Sequence, residues 1–249
     1  MLTGTVLVTG GAKRLGAAIA RAVVAAGADV VIHYGTSADA ARALADELGG
    51  VAVAGDLSDP AAAADLFARA RAAAGGAITG LVNSASLFAF DRPEAVDPAL
   101  AARLHAINCV TPAMLAAALA GQGDLDAGAV VNLLDQKLAN PNPDFFSYTL
   151  SKYALAGATG MLAQALAPKV RVNAVAPGIT LPSGDQSDAA FAAVASDNLL
   201  RRPVGAEAVA AAVVYLLGAR SVTGQTLYVD CGQRFVRSDR DVMFGFADG

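Results

Sequence analysis

Two side chains in this sequence are placed to move a proton. Tyr148 and Lys152 stand four positions apart in Tyr148-Thr149-Leu150-Ser151-Lys152, where a helical pattern begins. Residues at i and i+4 share a helix face. The ammonium is therefore expected beside the phenol, lowering its pKa from roughly 10 toward the working range. That is a general acid with an electrostatic helper, although the same spacing arises by chance on many helices. A second feature lies near the N-terminus. Thr9-Gly10-Gly11-Ala12-Lys13-Arg14-Leu15-Gly16 follows an apolar run at 5–10 and leads into a helical pattern at 15–26. A glycine-rich turn there lets backbone N–H groups approach a pyrophosphate at the positive end of the helix dipole. A purely structural turn is the alternative in a chain with 25 glycines, but the position between first strand and first helix favours a dinucleotide. Gly10, Lys13, Arg14, Leu15 and Gly16 are the candidate contacts.

The end of the second apolar run selects the dinucleotide. A site for NAD usually places Asp or Glu about 20 residues past the turn, to hold the ribose 2′-OH. Here the stretch is His33-Tyr34-Gly35-Thr36-Ser37, with no acid before Asp39. Hydroxyls with Lys13 and Arg14 nearby suit a 2′-phosphate that a carboxylate would repel. NADPH is therefore expected over NADH, unless the two cations are simply solvated.

Groups this far apart in sequence need a frame that brings them together. Apolar runs of strand length occur at 5–10, 29–34, 51–56, 80–85, 129–134, 170–177 and 225–230. Most are continuously apolar, as strands buried on both faces of a parallel sheet are. Helical patterns at 15–26, 38–48, 60–73, 98–120 and 147–166 alternate with them. Asp59-Pro60 and Asp97-Pro98 read as helix starts, and Gly27, Gly49 and Gly218 as stops. The expected fold is α/β: a single doubly wound Rossmann domain over 1–249, with a seven-stranded parallel sheet and helices on both faces. The polar stretch 181–200 reads as a substrate flap. The tail 237–249 reads as a frayed terminus, or as a cap in which Phe244 and Phe246 close a neighbouring subunit's pocket.

Composition narrows the function classes. The 249 residues are 55% hydrophobic and 16% charged, which excludes a disordered or collagen-like chain. A net charge of −4 argues against nucleic acid as a partner. Cys109 and Cys231 suggest neither a disulfide framework nor a metal knuckle, and His33 and His105 lack partnering ligands, so no metal is expected. The longest uncharged stretch, 104–123, contains His105, Asn108, Thr111, Pro112 and Gln122, poor company for a bilayer span. Residues 1–10 have no basic leader pattern, so a cytoplasmic protein without a signal peptide is expected.

From 9 to 232 the chain resembles the short-chain dehydrogenase/reductase family. The matching elements come in order: the 9–16 turn, Asp56-Leu57, Asn83-Ser84-Ala85, Asn108, Tyr148 with Lys152, Pro177-Gly178, and Val229-Asp230-Cys231-Gly232. The resemblance implies that Tyr148 is the proton donor and that Lys152 binds the nicotinamide ribose. It implies that Asn108 holds a proton-relay water, where the residue alone reads as a buried helix amide satisfied by backbone. Asp56, beside Leu57, would contact the adenine, and Asn83, Ser84 and Ala85 the adjoining ribose. Pro177, Gly178, Ile179 and Thr180 would line the nicotinamide. The family also implies a homotetramer built on the 98–120 and 147–166 helices and the last strand.

Departures from the common family pattern are more specific. The position 13 residues before the tyrosine, usually serine, is Asp135; the middle glycine of the turn is Arg14; and Asn83-Ser84-Ala85-Ser86 is followed two residues later by Phe88. All three changes resemble the pteridine reductase branch and the bacterial dihydromonapterin reductases. The resemblance assigns Arg14, His33 to Ser37, Ser86, Phe88 and Asp135 to that branch's site, with Phe88 stacking on the pterin. Thr36 stands where the branch often has arginine, and no second aromatic or substrate arginine is placed in 178–200. The chemistry agrees, because reducing a C=N bond requires a proton on nitrogen and a carboxylate–tyrosine pair can relay one. Asp135 could instead be a turn cap, and Phe88 plain packing. The expectation is NADPH-dependent reduction of a dihydropterin (dihydromonapterin, dihydrobiopterin or dihydrofolate) to its tetrahydro form. The alternatives are a carbonyl reductase acting on a ketone or aldehyde, and an inactive NADP-binding scaffold or sensor.

Overall fold

The computed structural model describes residues 1–182, 191 and 194–241. Among them seven parallel strands form one sheet: β1 (Thr5–Thr9), β2 (Asp29–Tyr34), β3 (Val51–Ala54), β4 (Ile78–Asn83), β5 (Gly128–Leu133), β6 (Val170–Pro177) and β7 (Thr226–Val229). Their order is β3-β2-β1-β4-β5-β6-β7. The order reverses between β1 and β4, and in such a sheet the crevice at the strands' carboxyl ends at that point takes the ligand. The doubly wound parallel architecture is the one the alternating runs imply.

The continuous apolar strands follow from covering both faces. Val6 and Val8 of β1 join a core with Val30, Ile32, Val82 and Val131, and Leu7 between them joins a second core with Val31, Leu81 and Val130. Successive side chains of a strand point to opposite faces. The first core is closed by α1 (Arg14–Ala25), α2 (Ala38–Leu48) and α7 (Ala206–Gly218). The second is closed by α3 (Ala63–Ala74) and α5 (Thr111–Ala120), with the end of α6 (Phe146–Ala165). A helix α4 (Pro98–His105) packs with α6 beside the crevice.

Local signals set most boundaries. Asp59 and Asp97 each accept a hydrogen bond from the backbone N–H two residues on, next to a proline that starts a helical turn. Gly49 ends α2 in the left-handed conformation. Gly218 is instead the last residue of α7, which stops at Ala219. The stretch expected as one helix at 98–120 is α4, a π-helical turn at Ala106–Val110, then α5. Pro112 explains the break, since it has no N–H to donate to the carbonyl of Asn108 four residues back. By length and composition alone Pro98–Ala120 could cross a membrane, but Leu104, Asn108, Leu115 and Leu119 are buried in the protein's own interior. Val51–Ala54 is shorter than expected, so Asp56 lies on the loop after β3.

Candidate active site

At the β1–β2 end the crevice is shaped by backbone. Gly10 has φ +61°, and a Cβ there would come within 2.9 Å of Ala85 Cα; at Gly16 it would meet the Gly10 carbonyl at 2.1 Å. Only glycine allows this close approach. Thr9 Oγ1 accepts from the N–H groups of Ser84 and Ala85, each at 3.1 Å, joining the ends of β1 and β4. The N-cap of α1, Lys13, provides no side-chain cap, and no acid stands in the first turn. The first N–H groups of α1 are thus left for an anion. Lys13 and Arg14 are exposed, and the Arg14 guanidinium donates to the Pro182 carbonyl at 2.7 Å.

His33 departs from its assignment as a cofactor contact. Its ring is buried beneath the turn, where Nδ1 accepts from Gly10 N–H at 3.2 Å and Nε2 faces the Gly55 carbonyl at 3.2 Å. Burial pushes its pKa down to about 4, so the imidazole is a neutral strut under the glycine-rich turn. Thr36 is exposed, and Ser37, at the N-cap of α2, does not cap its own helix. Those hydroxyls remain at the end of β2 beside Tyr34. Asp56 accepts from the backbone N–H and hydroxyl of Ser58, both at 2.8 Å, and these bonds hold its pKa below the usual value. The side chains of Leu57 and Asn83 are buried. Asn83 donates to Asn132 across β4 and β5, so both positions offer a nucleotide their main chain only.

At the β5–α6 end the crevice opens into a cavity of about 340 Å³. Arg14, Ser86, Phe88, Asp135, Tyr148 and Lys152 line it, as do Pro177, Gly178, Ile179 and Thr180 at the end of β6. Asp135 ends the loop after β5, and Tyr148 lies in the first turn of α6. The phenol donates to Asp135 Oδ2 at 2.8 Å, while Asp135 Oδ1 accepts from the Lys137 N–H at 2.9 Å. Asp135 is therefore both a turn cap and the partner of Tyr148. Burial raises the Asp135 pKa, and burial together with the Asp135 carboxylate pushes the phenol well above 10.

That last result corrects the expectation for Lys152. The ammonium donates to the Leu133 carbonyl at 2.8 Å and lies 5.7 Å from the centre of the Tyr148 ring. The charge bonded to the phenol is the Asp135 carboxylate, so the phenol is held protonated instead of acidified. Lys152 itself is lowered by burial to about 8, against the pull of Asp135.

Asn108 lies in the π turn and is saturated. Its Oδ1 accepts from Leu87 N–H at 2.8 Å and Ser86 Oγ at 3.1 Å, and its Nδ2 donates to the Leu87 carbonyl and Ser151 Oγ, each at 2.9 Å. The side chain fixes the 86–88 segment to α6, as a buried amide satisfied within the protein. Phe88, 46% exposed, stacks on Phe145 at 4.2 Å and meets Tyr148 edge-on at 4.7 Å.

Several contributors had no signature in the sequence. Asp91 accepts from Ser147 N–H at 2.9 Å and from the Ser147 hydroxyl, so it caps α6 from a distant loop. Phe145, at φ +54°, backs Phe88. Lys137, Asp144 and Asp241 bring the C-terminal segment to the cavity wall. Of the expected flap, Val194 and Ala195 are buried and Leu199 and Leu200 are exposed. Phe244 and Phe246 lie outside the described residues.

Comparison with known proteins places this arrangement. Residues 10–234 match the family model described as Enoyl-(Acyl carrier protein) reductase. Pteridine reductase 1 of Leishmania tarentolae is 32% identical, over 93% of this chain and 96% of its own length. A dihydromonapterin reductase of Klebsiella pneumoniae is 26% identical, over 92% and 95%. Among solved structures, FolM alternative dihydrofolate reductase 1 from Brucella canis, complexed with NADP, superposes with a TM-score of 0.87 at 40% identity, covering 95% of this chain and 96% of that one.

Proposed function

The chain belongs to the short-chain dehydrogenase/reductase family, and on that premise we propose that it is an NADPH-dependent reductase of dihydropterins. The observation that carries this reading is the 2.8 Å bond between Tyr148 Oη and Asp135 Oδ2 inside a cavity lined by Phe88. A carbonyl reductase needs a hydroxyl donor toward a ketone oxygen; here a carboxyl occupies that place, which suits protonation of a ring nitrogen.

The residues present fit NADPH. Gly10 and Gly16 leave room for a pyrophosphate against the uncapped start of α1. The end of β2 offers Thr36 and Ser37 where a carboxylate would exclude a 2′-phosphate, and Lys13 and Arg14 supply positive charge. Lys152 would hold the nicotinamide ribose, with Pro177, Gly178, Ile179 and Thr180 along the ring. When bound, NADPH supplies the hydride. The chain's own part is to orient and to deliver a proton. Phe88 offers an aromatic face to a flat heterocycle, and the Asp135–Tyr148 pair holds an exchangeable proton beside it. Burial and the Asp135 carboxylate keep the phenol protonated, and burial raises the affinity of Asp135 for a proton, so the pair holds a proton beside the substrate and can pass it between its two members.

The reading extends to a cytoplasmic homotetramer. Leu150, Tyr153 and Met161 share one face of α6 and are 50%, 42% and 66% exposed, an apolar stripe suited to a partner helix. The activity is tested with purified protein, NADPH and a panel of dihydropterins and ketones. NADPH oxidation with dihydropterins and little with ketones is expected. The reverse pattern would assign the site to carbonyl reduction.

A further inference from the structure

Lys137 is 4% exposed, and its ammonium is held by Asp241 Oδ2 at 2.8 Å, Asn142 Oδ1 at 2.7 Å and the Phe145 ring, 5.5 Å to its centre. Through its backbone N–H the same residue binds Asp135. A buried cation needs a carboxylate, and among the described residues two line this cavity: Asp241, whose side chain is 13% exposed, and Asp135. The segment carrying Asp241 is bolted down at Asp144, whose fully buried carboxylate accepts from Arg92 at 2.5 Å, Arg240 Nε at 2.8 Å and the Asp241 N–H at 2.9 Å. We propose that Asp241 is a positioning residue for pterin reduction: by holding the Lys137 ammonium, it keeps that charge off Asp135 and leaves Asp135 to Tyr148. The inference rests on the reading of Asp135 and Tyr148 as the proton-delivering pair.

Among the described residues, the charged and titratable groups facing Asp135 are Tyr148 and Lys152 from α6, Lys137 from its own turn and Asp241 from the C-terminal segment. Asp241 raises the affinity of Asp135 for a proton, in addition to burial. Without that charge, the Lys137 ammonium loses its carboxylate, and Asp135, already bonded to the Lys137 backbone N–H and lining the same cavity, is the carboxylate whose ionised form the freed cation would favour.

The experiment compares wild type, D241N and the double variant K137M/D241N. It measures kcat and KM for a dihydropterin across pH, the dissociation constant for NADPH, and thermal stability. In D241N, kcat should fall about tenfold, with the alkaline limb of its pH profile moved to lower pH and NADPH binding unchanged. In the double variant the orphaned cation is gone, so kcat and the limb should return toward wild type. A double variant as slow as D241N, or a D241N equal to wild type, overturns the inference. Should D241N fail to fold, Lys137→Met decides: it leaves the Asp241 charge uncompensated near Asp135, so the alkaline limb should move to higher pH, and an unmoved limb overturns the inference. Wild-type protein that reduces no dihydropterin would overturn the functional reading and this inference together. An active wild type with an unaltered D241N overturns only the inference.

Discussion

The two ends of the crevice solve recognition with different materials. At the β1–β2 end the contacts are glycine backbone, the start of α1, open hydroxyls, exposed cations and one neutral histidine. At the β5–α6 end, Asp135, Lys137, Lys152 and Asp241 line the same cavity as the Tyr148 phenol, the two lysines buried and the two carboxylates partly so. A polyanion can be held by fixed dipoles and surface charge, whatever the protonation of the interior. Proton delivery needs ionisable groups kept out of water, where neighbours set their state. The binding end should therefore tolerate loss of a charge at the catalytic end, while the catalytic end should not tolerate its own.

The largest expected effect tests that separation directly. Asp135→Ser removes the carboxyl bonded to Tyr148 and restores the residue that ketone-reducing relatives carry. Turnover of a dihydropterin should fall about 10²- to 10³-fold, the usual scale of a lost general acid–base partner. Dissociation of NADPH, followed by fluorescence, should be unchanged. If affinity falls together with turnover, the two ends are not independent.

The same contrast explains what could be read before any coordinates. The turn from Thr9 to Gly16 and the stretch from His33 to Ser37 are local patterns, each next to a strand whose apolar run gives its position. Tyr148 and Lys152 are local too, being one helical turn apart. The substrate end is not local. Phe88, Asp91, Asp135, Lys137, Asp144, Phe145 and Asp241 converge from loops, and no spacing rule links Lys137 to a carboxylate 104 positions away. Resemblance supplied Asp135 and Phe88, but not the charge that surrounds them. Helix spacing alone also misplaced the charge at the phenol, because i,i+4 geometry brings Lys152 near the ring without saying that its ammonium turns to the Leu133 carbonyl. His33 was misassigned for a related reason: sequence gives its place at the end of β2 but not that its ring points under Gly10.

His33 also gives the binding end a strong pH dependence. Its folded pKa of about 4 lies below the ordinary 6.5, so the unfolded chain binds more protons between those values. Stability from the neutral ring is complete above about pH 6.5, declines as pH falls toward 4, and is gone below it, a total of about 3 kcal/mol. Denaturant unfolding of wild type and His33→Gln across this window should show the stability difference shrinking by about that amount as the pH drops. A difference that stays constant with pH would mean the ring is not neutral beneath the turn.

The smallest effect is expected at the boundary between the two ends. Phe88 contributes no charge; it stacks on Phe145, meets Tyr148 edge-on and leaves 46% of its surface open at the cavity. If that surface takes a flat heterocycle, Phe88→Ala loses an aromatic contact worth about 1–1.5 kcal/mol, or roughly tenfold in the Michaelis constant for the dihydropterin. The constant for NADPH should change less than about twofold, because the site proposed for the cofactor's pyrophosphate is the α1 turn, away from Phe88. Turnover at saturation should hold, since the Asp135–Tyr148 bond does not pass through Phe88. A variant that instead loses turnover and keeps its Michaelis constant would show that Phe88 braces the phenol, and would move it from substrate recognition to support of the proton-delivering pair.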